Sequence, residues 1–160
     1  MKGNRKVIAA LNAALRDELM AINQYFLHAE MLENWKYTRL SKYIKKQSID
    51  EMRHAEGLIE RILFLDGTPN LTEPMKLEVG LDVRHQLERQ LQLEVDAVAS
   101  YNKSIAVCRA EGDNASGKLF EKMLHDEEGH VDWLEAQLHQ IKELGYERYL
   151  SEQIEEAQLS

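Results

Sequence analysis

The chain has 160 residues, a mass of 18.6 kDa and a formal net charge of −8. A chain of this length forms one domain around a single core. A composition with 44% hydrophobic residues, 30% charged residues, 8 glycines and 2 prolines excludes a disordered or collagen-like chain. The 28 acidic residues outnumber the 20 basic ones, which argues against a nucleic-acid partner and favours cations.

Cysteine usage and the first residues bear on localisation. The single cysteine, Cys108, allows no internal disulfide and no cysteine-only metal site, which suits a reducing compartment. The basic start at residues 1–6 leads into a segment interrupted by charged residues, unlike a signal peptide. No apolar run has the length that a bilayer requires. We therefore predict a cytoplasmic protein.

Apolar residues recur at intervals of three and four along most of the chain, which is the period of one helical face. The predicted helices span about residues 4–35, 39–66, 82–111, 115–144 and 146–158. Both prolines, Pro69 and Pro74, lie in residues 67–81, which lack a regular period and predict an irregular connection. No segment alternates with a period of two, so no strand is predicted.

The lengths of these elements limit the topology. A helix of about 27 residues is about 40 Å long, and an extended connection of about 14 residues reaches about 46 Å. The connection can therefore run the whole length of the helices. The prediction is an all-α domain over residues 1–160, a ferritin-like four-helix bundle with one long crossover and a short fifth helix.

The second half of the chain repeats the first. Residues 50–56 align with residues 126–132, and both segments read Asp-Glu-x-x-His-x-acid. The same offset aligns Glu18 with Glu94, so each half has a further glutamate at the same distance before its Glu-x-x-His motif. One such motif arises easily by chance, but an offset shared by both helix pairs is specific.

The spacing of the motif indicates a metal site. Positions i and i+3 share a helix face, so the glutamate and the histidine of each motif can bind the same ion. Four carboxylates and two imidazoles in a bundle suit two divalent ions such as iron or manganese. A solvated surface charge is the commoner fate of any single glutamate, but the whole set favours metal. The candidate ligands are Glu18, Glu51, His54, Glu94, Glu127 and His130.

Several longer stretches make the chain similar to the bacterioferritins over essentially its whole length. The stretches that carry the resemblance are residues 1–3, 18–29, 48–52, 60–65 and 126–135. The resemblance implies a shell of 24 subunits, a di-iron ferroxidase centre in each subunit and b-type haem between two-fold-related subunits. It also implies oxidation of ferrous iron by dioxygen or peroxide, storage of ferric mineral, and a ferredoxin as the partner for iron release.

The resemblance assigns a role to each candidate ligand. Glu51 and Glu127 would bridge two irons, Glu18 and Glu94 would be terminal carboxylates, and the two histidines would each bind one iron. Hydrogen bonds from neighbouring residues often orient such ligands. The candidates for that role are Tyr25, Tyr101, Asp50 and Asp126, although core tyrosines and solvated aspartates are equally compatible with the pattern.

Met52 is where the two halves differ, since Glu128 is its counterpart. A methionine at helical spacing is usually a core residue. The resemblance instead makes Met52 the axial ligand of a haem shared by two subunits, which favours ferrous haem and provides a path for electrons during iron release. The expected walls of the haem pocket are Leu19, Ile22, Asn23 and Phe26.

The chain also departs from the bacterioferritin pattern. Lys46 and Gln47 stand where family members often carry histidine and glutamate, so an additional iron site on the inner wall is not expected. The other histidines, His28, His85, His125 and His139, have no counterpart in the repeat and are interpreted as ordinary surface or core residues.

Two other functions remain compatible with the sequence: a di-metal peroxidase or catalase without mineral storage, and a purely structural helical assembly. The absence of a Cys-x-x-Cys pair disfavours a rubrerythrin-like enzyme, and the absence of a basic tail disfavours a DNA-protecting mini-ferritin.

Overall fold

The computed structural model describes residues 1–155. The helices are α1 (Arg5–Asn34), α2 (Thr38–Phe64), α3 (Val83–Ala110), α4 (Asn114–Leu144) and α5 (Tyr146–Ser151). No strand occurs among the described residues, so the all-α prediction is confirmed. Within the same range, no helix combines the length and the apolar character needed to cross a membrane. Residues 65–82, between α2 and α3, form the crossover.

Local sequence signals explain where the long helices begin and end. The side chain of Asn4 accepts a hydrogen bond from the backbone N–H of Lys6 at 2.8 Å, and Asp82 accepts one from His85 at 2.8 Å. These bonds satisfy donors that have no partner within α1 and α3. Gly145, with φ of 83°, takes the left-handed conformation in which glycine is favoured and ends α4.

The fifth helix is shorter than predicted, because it ends at Ser151 rather than at residue 158. The Ser151 hydroxyl donates to the carbonyl of Arg148 at 2.7 Å, and the carbonyl of Gln153 accepts from the N–H of Arg39 at 3.1 Å. This contact with α2 takes the place of a further helical turn. Residues 156–158 of the predicted helix lie outside the described residues.

The four long helices form two antiparallel pairs, α1 with α2 and α3 with α4, and the apolar core has two parts. One part includes Leu11, Leu15, Leu58, Tyr101, Phe120 and Met123. The other includes Tyr25, Ile44, Leu87, Leu134 and Tyr149. The two parts occupy opposite ends of each helix, so buried polar residues at the middle of the helices lie between them.

The crossover runs along α1, as its predicted reach allows. Near its start, Asn12 accepts a hydrogen bond from the N–H of Asn70 at 2.8 Å. Near its end, Nε2 of the buried His28 accepts from the N–H of Gly80 at 3.0 Å. A Cβ atom at Gly80 would lie 2.4 Å from the backbone nitrogen of Gln86, so this close approach requires glycine. Burial lowers the pKa of His28 to about 4, which keeps the ring neutral as a structural acceptor.

Candidate metal centre

The six predicted ligands lie on the four long helices and converge on the middle of the bundle, and each is about nine-tenths or more buried. Their ligand atoms form two groups, and the atoms in each group lie within 4.8 Å of one another. The first group is Glu18, Glu51, His54 and Glu127, and the second is Glu51, Glu94, Glu127 and His130. Glu51 and Glu127 belong to both groups, the position that a carboxylate bridging two ions requires.

The two imidazoles face the shared carboxylates in the same way. Nδ1 of His54 lies 2.9 Å from Oε2 of Glu51 and 3.0 Å from Oε1 of Glu127. Nδ1 of His130 lies 3.0 Å from the other oxygen of each of these glutamates. The two oxygens of a shared carboxylate are therefore divided between the two halves of the site. This arrangement has the two-fold symmetry that the sequence repeat predicts.

Tyr25 and Tyr101 also contact the candidate ligands, but each one reaches across to the other half of the repeat. The hydroxyl of Tyr25 donates to Glu94, and that of Tyr101 donates to Glu18. Burial raises the pKa of both phenols well above the usual value, so they remain protonated donors at neutral pH. These bonds orient the terminal carboxylates.

The two aspartates of the motif behave differently. Asp126 lies 3.0 Å from Nε2 of His54, on the side of the ring opposite the glutamates. Such a contact fixes the orientation of a metal-binding imidazole. Asp50 contacts no ligand, and its carboxylate instead binds Lys46 at 2.7 Å and Arg53 at 3.4 Å. Of the two candidate aspartates, the structure brings only Asp126 to a candidate ligand, and Asp50 is a partly exposed ion-pair partner.

The two halves of the repeat differ at one of the two cations that hold Asp50. The counterpart of Arg53 in the second half is Gly129, which offers no side chain to pair with Asp126, whereas the counterpart of Lys46 is Lys122. Lys46 and Gln47 are the two positions near Asp50 where the sequence departs from the bacterioferritin pattern. The side chain of Lys46 is exposed to solvent, whereas that of Gln47 is buried. Because Gln47 is buried, it is not available to an ion on the surface beside Asp50.

Burial dominates the electrostatics of the two terminal glutamates. It raises the pKa of Glu18 well above the usual value, and repulsion from Glu51 adds to this effect. It raises the pKa of Glu94 to about 8, with repulsion from Glu127 contributing. Without metal, both carboxyl groups are therefore largely protonated at neutral pH.

The shared carboxylates and the histidines stabilise each other's charges. Burial opposes ionisation of Glu51 and Glu127, but contacts with His130 and His54 outweigh it and lower the pKa of both. Burial likewise opposes the charge on the imidazoles, yet contacts with the glutamates raise the pKa of His54 and His130 far above the usual value. In the metal-free protein, the positive charges of the two imidazolium rings therefore offset the negative charges of Glu51 and Glu127. Bound divalent cations would take over this role.

Hydrogen bonding at the centre is incomplete. Neither carboxylate oxygen of Glu51 accepts a well-directed hydrogen bond, nor does Oε1 of Glu127, and Nδ1 of His54 has no well-directed hydrogen-bond partner. Buried polar atoms without partners are unfavourable. These atoms all point to the same place, so divalent ions there would satisfy them, and a set of oxygen and imidazole donors suits iron.

Cavities reach the centre from two sides. The α1–α3 cavity has a volume of about 160 Å³ and is lined by all four glutamates, together with Asp17 and Asp96. The α2–α4 cavity has a volume of about 440 Å³ and is lined by both histidines, with Arg53, Lys122 and His125 among its other residues. Asp17, Asp96 and His125 line these cavities but are not among the predicted site residues, and the only sequence signal for them is their proximity along the chain to the candidate ligands.

The predicted haem-binding face lies on α1 and α2 and is exposed. Met52 is 48% exposed and Phe26 is 53% exposed. Leu19 and Asn23 line a cavity of about 120 Å³ beside Met75 of the crossover. Ile22, like Leu19, is partly buried and packs in part against the apolar core.

The repeat-related face of α3 and α4 has a different chemistry. Its groove is lined by Val95, Val98, Glu128, Val131, Asp132 and Glu135. Each of these positions is the repeat counterpart of one on or beside the Met52 face, and Glu128 stands where the first half has the thioether. The two faces therefore occupy repeat-related positions, with the thioether of Met52 on the first and the carboxylate of Glu128 on the second.

Comparisons with known proteins agree with this geometry. The family model of the ferritin-like domain matches residues 8–144. A bacterioferritin of Brucella melitensis is 50% identical over 149 residues, which cover 93% of this chain and 92% of the relative. A bacterioferritin of Streptomyces coelicolor is 45% identical over 158 residues, covering 99% of this chain and 95% of the relative. The solved structure of a Mycobacterium tuberculosis bacterioferritin superposes with a TM-score of 0.95 at 42% identity, covering 97% of this chain and 98% of that one. The chain therefore belongs to the bacterioferritin family.

Proposed function

We propose that the chain stores iron and that each subunit oxidises ferrous iron at the six-residue centre. Membership of the bacterioferritin family supports iron storage. The observation that carries the ferroxidase assignment is the pair of ligand groups that share Glu51 and Glu127, since shared carboxylates hold two ions close together.

The substrates are two ferrous ions and an oxidant, either dioxygen or peroxide. Glu18 and His54 hold one ion, Glu94 and His130 hold the other, and the shared carboxylates contact both. Four carboxylates balance the four positive charges of two ferrous ions. Each iron gives up one electron, and the two electrons with two protons convert dioxygen to hydrogen peroxide, or hydrogen peroxide to two water molecules.

The charge of the product explains why it leaves. Two ferric ions carry six positive charges, which the four carboxylates no longer balance, so hydrolysis and release as mineral are favoured. The hydroxyls of Tyr25 and Tyr101 hold the terminal carboxylates in place throughout, and the α1–α3 and α2–α4 cavities provide routes to and from the centre.

Rapid mixing of metal-free protein with graded ferrous iron in air tests the proposal. We expect a fast oxidation phase whose amplitude saturates near about two irons per subunit, as a paired site requires, followed by slower uptake of many more. Saturation without the slow phase would instead favour a di-metal peroxidase or catalase. If oxidation is no faster than in protein-free buffer, the centre is not a ferroxidase.

We also propose that two subunits share a b-type haem at the Met52 face. The residues fit the group, because an exposed thioether sits on an apolar face that includes Phe26 and Ile49. Bound there, haem supplies a one-electron redox couple, and sulfur ligation favours its ferrous form. At the edge of this face, Leu19 contributes an apolar side chain and Asn23 a polar one. The side-chain amide of Asn23 donates a hydrogen bond to the backbone carbonyl of Leu19 at 2.7 Å.

The haem assignment predicts that Met52→Leu removes the Soret absorbance of the purified protein, because leucine keeps the shape and loses the sulfur. Glu128→Gln is the matched control, since it alters the repeat-related position on the other face. We expect full haem content in the control and unchanged assembly mass in both variants. Haem that still co-purifies with Met52→Leu at the wild-type ratio contradicts the assignment.

The bacterioferritin family implies a homo-oligomer, and we propose a shell of 24 subunits built from haem-bridged dimers, with a ferredoxin as the partner for iron release. A cytoplasmic location is compatible with the single buried cysteine. Light-scattering mass distinguishes assemblies of 2, 12 and 24 subunits.

A further inference from the structure

His28 lies among buried polar residues where the end of the crossover meets α1 and α3. Its ring is fully buried, and Nε2 accepts a hydrogen bond at 3.0 Å from the N–H of Gly80, which is also buried. Two further hydrogen bonds hold the same segment. The N–H of Glu78 donates to Oε1 of Gln24 at 3.1 Å, and Nε2 of Gln86 donates to the carbonyl of Gly80 at 3.2 Å. Only the bond to His28 depends on a side chain that gains a proton in mildly acidic solution.

The donor at Gly80 fixes the protonation state of the His28 ring. A backbone N–H can only donate, so Nε2 carries a lone pair and the proton of the neutral imidazole lies on Nδ1. A second proton would bind to Nε2 and place two donors against each other. It would also put a positive charge in a fully buried position, which is unfavourable without a partner.

No charged group within residues 1–155 stabilises a positive charge on this ring. The contact from α3 is the neutral amide of Gln90, and Gln24, one turn away on α1, is also neutral. On the crossover, the exposed carboxylate of Glu78 is paired with Arg89 of α3 at 2.6 Å. Burial lowers the pKa of His28 to about 4, and only the contact with Gln90 opposes this shift, with no contribution from a described side chain of α2 or α4.

The difference between the buried and the exposed ring determines how strongly acid favours release of the segment. In water, the ring regains the usual histidine pKa of 6.5. The released form therefore binds the proton that the closed form excludes. The equilibrium constant for release stays constant above pH 6.5 and rises by up to about tenfold per pH unit between 6.5 and about 4. From pH 7.5 to pH 5, the rise amounts to about 30-fold.

We propose that His28 is an acid-sensitive latch, in which protonation of Nε2 breaks the bond to Gly80 and releases the end of the crossover that leads into α3. The crossover also borders the Met52 face, because the sulfur of Met75 lies 3.4 Å from the side-chain amide of Asn23. Mild acid therefore loosens the segment that covers the edge of this face. The inference is independent of metal binding at the six-residue centre.

Hydrogen–deuterium exchange of the assembled protein, measured by mass spectrometry between pH 5 and pH 7.5, tests the latch. After correction for the intrinsic exchange rate at each pH, the amide of Gly80 should open about 30-fold more often at pH 5 than at pH 7.5. Asn70, near the other end of the crossover, is the internal control. Its N–H donates to the side-chain oxygen of Asn12 at 2.8 Å, and this acceptor does not titrate. The corrected exchange of Asn70 should stay nearly constant.

Three variants separate His28 from the other titratable groups. His28→Gln keeps a side-chain oxygen that can accept from Gly80 but gains no proton, so its exchange at Gly80 should not depend on pH. Glu78→Gln removes the carboxylate of the released segment and should keep the wild-type dependence. His139→Gln, at an exposed position of α4, should keep it as well. Circular dichroism checks that each variant is folded.

Four results would contradict the latch. Constant corrected exchange at Gly80 in the wild type shows that protonation does not release the segment. An equal rise at Asn70 shows that other groups loosen the whole crossover. A wild-type rise in His28→Gln, or its loss in Glu78→Gln, assigns the pH dependence to a different group. The first two results come from the wild type, so they decide the matter even if His28→Gln does not fold.

Discussion

Replacement of a shared carboxylate, in Glu51→Gln or Glu127→Gln, is expected to abolish the rapid phase of ferrous oxidation. Each of these glutamates belongs to both ligand groups, so its loss weakens both metal positions at once. Loss of a residue that merely supports a ligand costs 10- to 100-fold, so we expect the loss of a shared ligand to lower the rate by at least about 100-fold. The measurement is stopped-flow absorbance of ferric product in air.

The matched control for Glu127→Gln is Glu128→Gln, at the next residue of α4, which removes the same charge from an exposed position. The control should oxidise iron at the wild-type rate. Circular dichroism of each metal-free variant checks that the helices are intact. A rapid phase of full amplitude in either shared-carboxylate variant would contradict the bridging assignment.

The stability of the metal-free protein is expected to fall as pH rises from 6.5 to 8. The folded-state pKa of Glu94, about 8, exceeds its unfolded value of 4.5, so this group stabilises the fold most at low pH. That contribution is lost progressively up to pH 8. The raised pKa values of His54 and His130 act in the same direction above 6.5. Each group contributes at most about 1.4 kcal/mol per pH unit.

Bound metal should reverse this trend, because it replaces the protons. Saturating cobalt(II) is expected to raise the melting temperature more at pH 8 than at pH 6.5, since protons compete with metal for the same ligands. Thermal unfolding with chelator and with cobalt measures both effects. Glu94→Gln is the control, and its metal-free stability should depend less on pH. If wild-type and Glu94→Gln proteins show the same metal-free pH dependence, Glu94 is not protonated as described.

The fold and the candidate ligands were predictable because their signals are local and repeated. The apolar period defined the helices, and the i, i+3 spacing placed Glu51 and His54 on one face. The repeat that aligns residues 50–56 with residues 126–132 then related the two helix pairs. The all-α ferritin-like fold is confirmed by the superposition with a known bacterioferritin. The roles of individual ligands stay predictions that the kinetic and metal-binding experiments test.

Other features depend on how the helices lie against each other. Tyr25 is two turns from Glu18 on α1, but it binds Glu94 because α1 and α3 run antiparallel past the centre. Asp126 reaches His54 across the bundle, whereas Asp50 is held by cations of its own helix. The periodicity of the sequence does not indicate these contacts between helices, because they depend on how the helices are aligned along one another.

The sequence by itself determined the helical architecture, the long crossover and the candidate metal ligands, because periodicity, breakers and ligand spacing are properties of the chain. Only the tertiary structure decided where α5 ends, which aspartate supports a histidine, and which charges line each route to the centre. These features arise from contacts between residues far apart in sequence. The α1–α3 cavity shows the reason most directly, because it exists only where the surfaces of α1 and α3 meet.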